Sequence, residues 1–235
     1  MTAARTALIT GHSSGIGRAI CERLLADGYD TIGLARTTGE PPLPHPHHTS
    51  IEIDLADCDT LATRIPEIAK EHPDIDVLIC CAGQGRFGDL ETFSLAQIRQ
   101  LMDVNFTAHA WLARCLLPAM KTRRKGDLIF IGSEAALEGG RKGAVYSASK
   151  FAVRGLVQSL RKDAGRQGLR ITIINPGMVR SPFFDDLDFA PGDEDSQAIL
   201  PGDIAKTVAM VLASRPGTVF DEINLSPRNK VIQKT

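Results

Sequence analysis

A tyrosine and a lysine stand four residues apart in Tyr146-Ser147-Ala148-Ser149-Lys150. On a helix that spacing puts both side chains on one face, one turn from each other. A phenol with its ordinary pKa of about 10 is a weak acid at neutral pH. An ammonium beside it favours the phenolate and would draw that pKa toward neutrality. The pair could then pass a proton to or from a carbonyl or alcohol oxygen. An amphipathic helix often carries this spacing by chance, so its meaning depends on what precedes it.

The chain alternates short apolar runs with helical periods. Ala7-Leu8-Ile9-Thr10 reads as a buried strand, followed by Gly11-His12-Ser13-Ser14-Gly15-Ile16-Gly17 and a helical pattern over residues 18–27. Strand, glycine-rich turn and helix together make a phosphate cradle. The glycines let the backbone approach a pyrophosphate, and the helix N-terminus offers free N–H groups. Residues 31–35 read as the second strand, which ends at Arg36. In a dinucleotide fold this strand end faces the adenosine ribose, where an acid suits NAD and a cation suits the extra phosphate of NADP. The plainer alternative is a solvated surface arginine. Pro41, Pro42, Pro44 and Pro46 exclude a helix interior, so the next crossover is expected to be an irregular loop. His45, His47 and His48 in it are read as surface residues, and no metal site is expected.

Residues 50–54 read as the third strand, with Asp54-Leu55 at its end and a helical stretch to about residue 70, interrupted or restarted at Pro66. Residues 76–80 are a fourth, buried strand running into Cys81-Ala82-Gly83, whose small side chains would let a flat group lie close. Residues 94–121 form a long helical segment, opened by a Ser94/Gln97 capping box, carrying Asn105, and kinked or ended at Pro118. Residues 127–131 are the fifth strand, with Ser133 just beyond it, and the helix with Tyr146 and Lys150 extends to about residue 167. Residues 170–174 are the sixth strand, closing with Asn175-Pro176-Gly177. Asp203 is expected to cap a helix to about residue 213, and residues 219–225 to form the last strand before a short basic tail. The alternation predicts an α/β fold, Rossmann-like and doubly wound: a mostly parallel seven-stranded sheet with helices on both faces, one domain over residues 1–235.

The candidates fall at the C-terminal ends of successive strands, where open α/β sheets place their ligands. Thr10-Gly11-x-x-x-Gly15-Ile16-Gly17, Asp54-Leu55, Ala82-Gly83, Asn105, Ser133, Tyr146-x-x-x-Lys150 and Pro176-Gly177 stand in this order along nearly the whole chain. In order and spacing they resemble the short-chain dehydrogenase/reductase family, in its single-domain branch. The resemblance implies an NADP(H)-dependent oxidoreductase that interconverts a small carbonyl compound and its alcohol, with NADP(H) favoured over NAD(H). It implies Tyr146 as general acid or base, Lys150 lowering its pKa and holding the nicotinamide ribose, and Ser133 holding the substrate oxygen. Asn105 would position a water in a proton relay. Gly11, Ser13, Ser14, Gly15, Ile16 and Gly17 would line the pyrophosphate site. Asp54 and Leu55 would meet the adenine, and Cys81, Ala82 and Gly83 the adenosine and ribose. Pro176, Gly177, Val179 and Ser181 would hold the nicotinamide end, with a substrate lid around residues 180–200.

Two departures bear on this. Cys81 stands where the family usually has an Asn that ties neighbouring strands, so a looser loop is expected. Ser14 stands where NADP-preferring members often have a basic residue, which leaves Arg36 to carry that preference. A catalytically silent dinucleotide-sensing or scaffold protein on the same fold is the rival reading, against which the intact Asn105, Ser133, Tyr146 and Lys150 set argues. Lys+Arg 27 against Asp+Glu 28 gives a formal net charge of −1, which points away from nucleic acid, and no apolar run suits a membrane span. The N-terminus shows no secretory pattern, and Cys21, Cys58, Cys80, Cys81 and Cys115 read as reduced thiols of a cytoplasmic protein. The resemblance also implies a homodimer or homotetramer built on the helices that hold Asn105 and Tyr146.

Overall fold

The computed structural model describes residues 4–234; residues 1–3 of the N-terminus and residue 235 of the basic tail lie outside the described residues. Seven parallel strands form one sheet in the order β3-β2-β1-β4-β5-β6-β8. They are β1 (Thr6–Thr10), β2 (Asp30–Ala35), β3 (His48–Glu52), β4 (Ile75–Cys80), β5 (Gly126–Ile131), β6 (Leu169–Pro176) and β8 (Glu222–Leu225). The helices are α1 (Gly15–Ala26), α2 (Cys58–Glu71), α3 (Leu95–Met102), α4 (Ala108–Arg123), α5 (Ala144–Ala164) and α6 (Pro201–Ala213). β7 (Phe189–Pro191) and β9 (Ile232–Lys234) pair antiparallel as a separate ribbon.

The strand pattern explains the layers. Successive side chains of a strand point to opposite faces. Leu8, Leu78 and Leu128 enter one core with Leu61 of α2, Leu112 of α4 and Val153 of α5. Their neighbours Ile9, Ile79 and Ile129 enter the other with Ile20 and Leu24 of α1 and Ile204 and Val208 of α6. A central strand buried on both faces is therefore apolar throughout, as β1, β4 and β5 largely are. Each fully buried Leu or Ile contributes roughly 1.5–3 kcal/mol. Cys80 and Cys81 divide between the two cores in the same way.

The structure corrects several expected boundaries. Pro66 and Pro118 lie inside continuous helices α2 and α4. The backbone bond each proline forfeits is outweighed by packing: Leu61, Ile65 and Ile68 on α2, and Leu116 and Met120 on α4, are buried. The long segment breaks instead at Asp103–Thr107, a π-helical turn that contains Asn105. α2 starts at Cys58 because Asp57 caps it by accepting from the Thr60 N–H. α5 ends at Ala164, and residues 165–167 form a tight 3₁₀ turn. Asp203 is not the cap of α6. It sits in the first turn, accepting from the Leu200 N–H, with Pro201 as the first helical residue. The last strand spans only residues 222–225, the stretch that pairs with β6. The pairing of β9 in the basic tail with β7 was not foreseen. Among the described residues no helix is long and apolar enough to cross a membrane, and no group of three or more His, Cys, Asp or Glu could hold a metal ion.

Candidate active site

At the end of β1 the site is made of backbone. Gly11 has φ +72, and a Cβ there would lie 2.9 Å from the Ala82 Cα. A Cβ on Gly17 would lie 2.1 Å from the Gly11 carbonyl oxygen, so α1 can approach the turn only because residue 17 has no side chain. Ser14 caps α1 without a side-chain hydrogen bond, and no acid stands in the first turn. The first N–H groups of α1 and its positive end therefore face the turn uncompensated by side chains, which suits a diphosphate. Ser13 and Ser14 border this cradle, with Ser14 exposed. The expected looseness at Cys81 is offset from β1: the Thr10 hydroxyl accepts from the Cys81 N–H at 2.9 Å and the Ala82 N–H at 3.0 Å.

His12, unassigned from sequence, is fully buried beneath this turn. Its ring occupies the space that Gly33 of β2 leaves: a Cβ on Gly33 would lie 2.2 Å from the His12 Cγ. Its Nε2 is 2.8 Å from the Ser50 hydroxyl, and its ring centroid is 5.2 Å from that of His48. Burial holds both imidazoles below their ordinary pKa. His48 is thus no surface loop residue. It belongs to β3, and its Nδ1 lies 2.9 Å from the Thr31 hydroxyl. A glycine inside a strand was the available signal, since it marks a close approach.

Farther along the strand ends, Arg36 is exposed and makes no hydrogen bond or ion pair among the described residues. The loop behind it folds back, with Gly39 (φ +85) against the Ser13 backbone and the Arg18 guanidinium donating to the Pro41 carbonyl at 2.6 Å. Asp54 is exposed, and its carboxylate accepts from the Ala56 N–H at 2.9 Å. The Leu55 side chain, by contrast, is part of the core.

The other half of the site is built from side chains of separated elements. Ser133 follows β5, its hydroxyl accepting from the Ala135 N–H at 3.1 Å. Tyr146 lies in the first turn of α5 and Lys150 one turn later; both are buried. The Lys150 ammonium donates to the Ile131 carbonyl at 3.2 Å and lies 5.8 Å from the Tyr146 ring centroid. In the π turn, the Asn105 side chain accepts from the Gln84 N–H at 2.8 Å and donates to the Gln84 carbonyl at 3.0 Å and the Ser149 hydroxyl at 3.0 Å. Ser149 in turn donates to the Tyr146 carbonyl at 2.7 Å. Asn105 therefore ties the loop after β4 to the turn of α5 that carries the phenol. A Cβ on Gly83 would lie 3.4 Å from Asn105 Oδ1 and 3.6 Å from Lys150 Nζ, so both side chains converge beside that bare glycine.

The electrostatics differ from the expectation for the pair. Tyr146 is not drawn toward neutrality. Burial pushes its pKa up to about 12, aided by the Glu134 charge and opposed by the nearby Ser133 hydroxyl. Burial pushes Lys150 down to about 8. Desolvation wins because both groups are inside and the ammonium is directed at the Ile131 carbonyl. At neutral pH the phenol is a proton donor. His109, one helical turn after Asn105 and fully buried, was also missed; burial, reinforced by the Lys150 charge, lowers its pKa to about 3.

Beyond β6, the Gly177 N–H donates to the Leu225 carbonyl at 2.8 Å, and a Cβ on Gly177 would lie 3.2 Å from the Glu134 carboxylate. Val179 bridges to Ile199, and Ser181 lies against Gly15, so this loop returns to the glycine-rich turn. Phe183, in the same loop, packs against Tyr146 with ring centroids 5.9 Å apart, and Phe87, from the loop after β4, at 5.1 Å. The C-terminal tail lies over this region through β9 and through Lys230, whose ammonium is 2.8 Å from the Glu134 carboxylate.

Residues 5–190 match the family pattern for short chain dehydrogenase. Sepiapterin reductase of Chlorobaculum tepidum is 30% identical over 242 residues, covering 96% of this chain and 97% of that protein. Human retinol dehydrogenase 8 is 33% identical over 192 residues, covering 77% of this chain and 61% of that one. Among solved structures, one assigned as an NAD(P)-dependent gluconate 5-dehydrogenase from Beutenbergia cavernae, with bound NADP at low occupancy, superposes with a TM-score of 0.83. It is 28% identical and covers 95% of each chain. A 4-hydroxyisoleucine dehydrogenase complexed with NADH shares the fold with a TM-score of 0.84 at 22% identity, covering 95% of this chain and 97% of that one.

Proposed function

The chain belongs to the short-chain dehydrogenase family, and on that premise we propose that it is an NADP(H)-dependent oxidoreductase interconverting a small carbonyl compound and its alcohol. The observation that carries the reading is a connected set: Asn105 and Lys150 meet beside the bare backbone of Gly83, Asn105 reaches the Tyr146 turn through Ser149, and the Tyr146 phenol meets the Ser133 hydroxyl. The glycine cradle at the N-terminus of α1, where a Cβ on residue 11 or 17 would collide with backbone, fits a dinucleotide diphosphate. Arg36, which has no partner among the described residues, is the residue we assign to the 2′-phosphate. The proteins bearing NADP and NADH among the similar structures support a nicotinamide cofactor and leave the choice to such residues.

A reduced nicotinamide cofactor, held by the Gly11, Gly15 and Gly17 cradle at one end and by Lys150 at the other, would supply the hydride for the reductive direction. Ser133 holds the carbonyl oxygen and stabilises charge developing on it. Tyr146, protonated at neutral pH, gives that oxygen its proton and recovers one from solvent. Lys150 keeps a positive charge beside the phenol as its proton leaves, and Asn105 fixes the α5 turn that carries both. Residues 180–200, three of whose phenylalanines lie in one chain of ring contacts with Tyr146, act as the lid that excludes water. A homo-oligomer built on α4 and α5 belongs to the same proposal, supported by exposed Phe151 on α5, as does a cytoplasmic setting, supported by five free thiols.

The test is loss of reduced-nicotinamide absorbance with NADPH and with NADH across a panel of aldehydes, ketones and hydroxy acids. Turnover on the order of 1 per second or more with one carbonyl, preferring NADPH, is expected. Tight NADPH binding without turnover of any member would favour the silent, dinucleotide-sensing reading.

A further inference from the structure

The aromatic side chains of this protein are not spent on its core, which is built of Leu, Ile and Val with Phe130 the one fully buried phenylalanine among the largest core side chains. Four of the nine phenylalanines instead join Tyr146 in a closed circuit. Ring centroids are 5.9 Å apart from Tyr146 to Phe183, 5.1 Å from Phe183 to Phe184, and 5.7 Å from Phe184 to Phe189. The circuit closes from Phe189 to Phe87 at 4.9 Å and from Phe87 back to Tyr146 at 5.1 Å. Every contact is tilted or edge-to-face, between 47° and 84°. Gly85 makes room for it, since a Cβ there would lie 2.5 Å from Phe183 and 3.1 Å from Phe87.

Resting on the oxidoreductase reading of the same site, we infer that the substrate is a neutral aromatic aldehyde or ketone whose ring is held against these side chains while its carbonyl meets Tyr146 and Ser133. Tilted ring pairs of this geometry contribute beyond apolar burial alone, so an aromatic ring laid against the circuit gains more than an aliphatic group of the same area. Leu101, Val145 and Ile98 share one apolar cluster with Tyr146, Phe87 and Phe183. Charge around the circuit disfavours an acid. Asp185, Asp186 and Asp188 of the same loop are exposed and form no ion pair among the described residues, and Glu134 beside Ser133 is bound to Lys230. The cation adjoining the circuit in sequence, Arg86 next to Phe87, is exposed to solvent.

The experiment compares benzaldehyde, phenylglyoxylate and glyceraldehyde as substrates with NADPH, and measures benzaldehyde binding by calorimetry to the NADPH-loaded Tyr146→Phe protein. Benzaldehyde is expected to exceed the other two in kcat/KM by roughly tenfold or more. Phe183→Ala and Phe87→Ala should each raise its KM severalfold and weaken its binding to the Tyr146→Phe protein, while NADPH affinity stays put. Equal or faster turnover of glyceraldehyde or phenylglyoxylate, lost in Tyr146→Phe, would overturn the aromatic inference and leave the oxidoreductase reading standing. Saturable benzaldehyde binding that depends on Phe183, with no turnover of any carbonyl, would uphold the aromatic site and overturn the oxidoreductase reading. No saturable binding and no preference would overturn the inference outright.

Discussion

The two ends of the crevice are made of different material. At the end of β1 the geometry is backbone: Gly11, Gly15 and Gly17 within seven residues, with shape decided by missing side chains. At the ends of β4 and β5 it is side chain: Asn105, Ser133, Tyr146 and Lys150 come from three segments and are locked by buried hydrogen bonds. A backbone site tolerates no added atom, and a side-chain site tolerates no lost one. The first should fail by exclusion of the cofactor and the second by loss of chemistry with the cofactor still bound.

The largest effect expected is on the side-chain end. Tyr146→Phe removes the proton donor and little volume, so kcat should fall by about 10³-fold or more, with NADPH affinity unchanged within about twofold. Stopped turnover with retained cofactor binding checks this; a retained rate would sink the acid assignment. Gly17→Ala tests the opposite failure. Its methyl meets the Gly11 carbonyl, and since the obstacle is backbone, the turn must open. NADPH affinity should fall on the order of a hundredfold, about 2.7 kcal/mol, by fluorescence or calorimetric titration, with the circular dichroism spectrum kept. Cofactor affinity within a factor of two of the parent would show that the turn yields cheaply.

This division also explains what the sequence disclosed. The seven parallel strands alternating with helices, the glycine cradle and the Tyr146/Lys150 pair rest on local period and spacing, and they are legible in the chain. Asn105 could be read as a candidate, but not the π turn that carries it, because a π turn leaves no hydrophobic-period signature. The pKa of Tyr146 is not legible in the chain for a related reason. Spacing shows that the lysine is near, while burial, which here outweighs it, is a property of the folded whole. The circuit joining Phe87 to Phe189 and the pairing of β9 with β7 link residues far apart in the chain, so no window of sequence contains them. The prolines misled in the other direction. Their local propensity is real, but buried contacts on α2 and α4 exceed it.

Arg36 probes whether the backbone end has any side-chain specificity. It is an exposed cation just past the end of β2 with no partner among the described residues, and Arg36→Asp would replace attraction for a 2′-phosphate by repulsion. The ratio of kcat/KM for NADPH over NADH should fall by about tenfold to a hundredfold, the loss of one charge-assisted contact. An unchanged ratio would make Arg36 a solvated surface residue and return the NADP preference to an open choice.

The mildest effect compares the imidazoles buried beneath each end. His12 lies under the glycine turn and His109 under the catalytic side chains, and burial depresses both. For His109 the folded pKa is about 3 against an ordinary 6.5. The unfolded chain therefore binds a proton in that interval that the folded chain refuses. Its stabilising share is complete above pH 6.5 and is lost as pH falls toward about 3. The slope from one such group is at most about 1.4 kcal/mol per pH unit. His109→Leu should flatten the acid limb of stability by nearly that amount, measured by urea denaturation at stepped pH, whereas His12→Leu should flatten it less because the His12 ring keeps a partner in the Ser50 hydroxyl. The two variants thus weigh the burial of the two ends directly. If His109→Leu leaves the slope untouched, the catalytic end is better solvated than its packing implies, and the raised pKa of Tyr146 loses its cause as well.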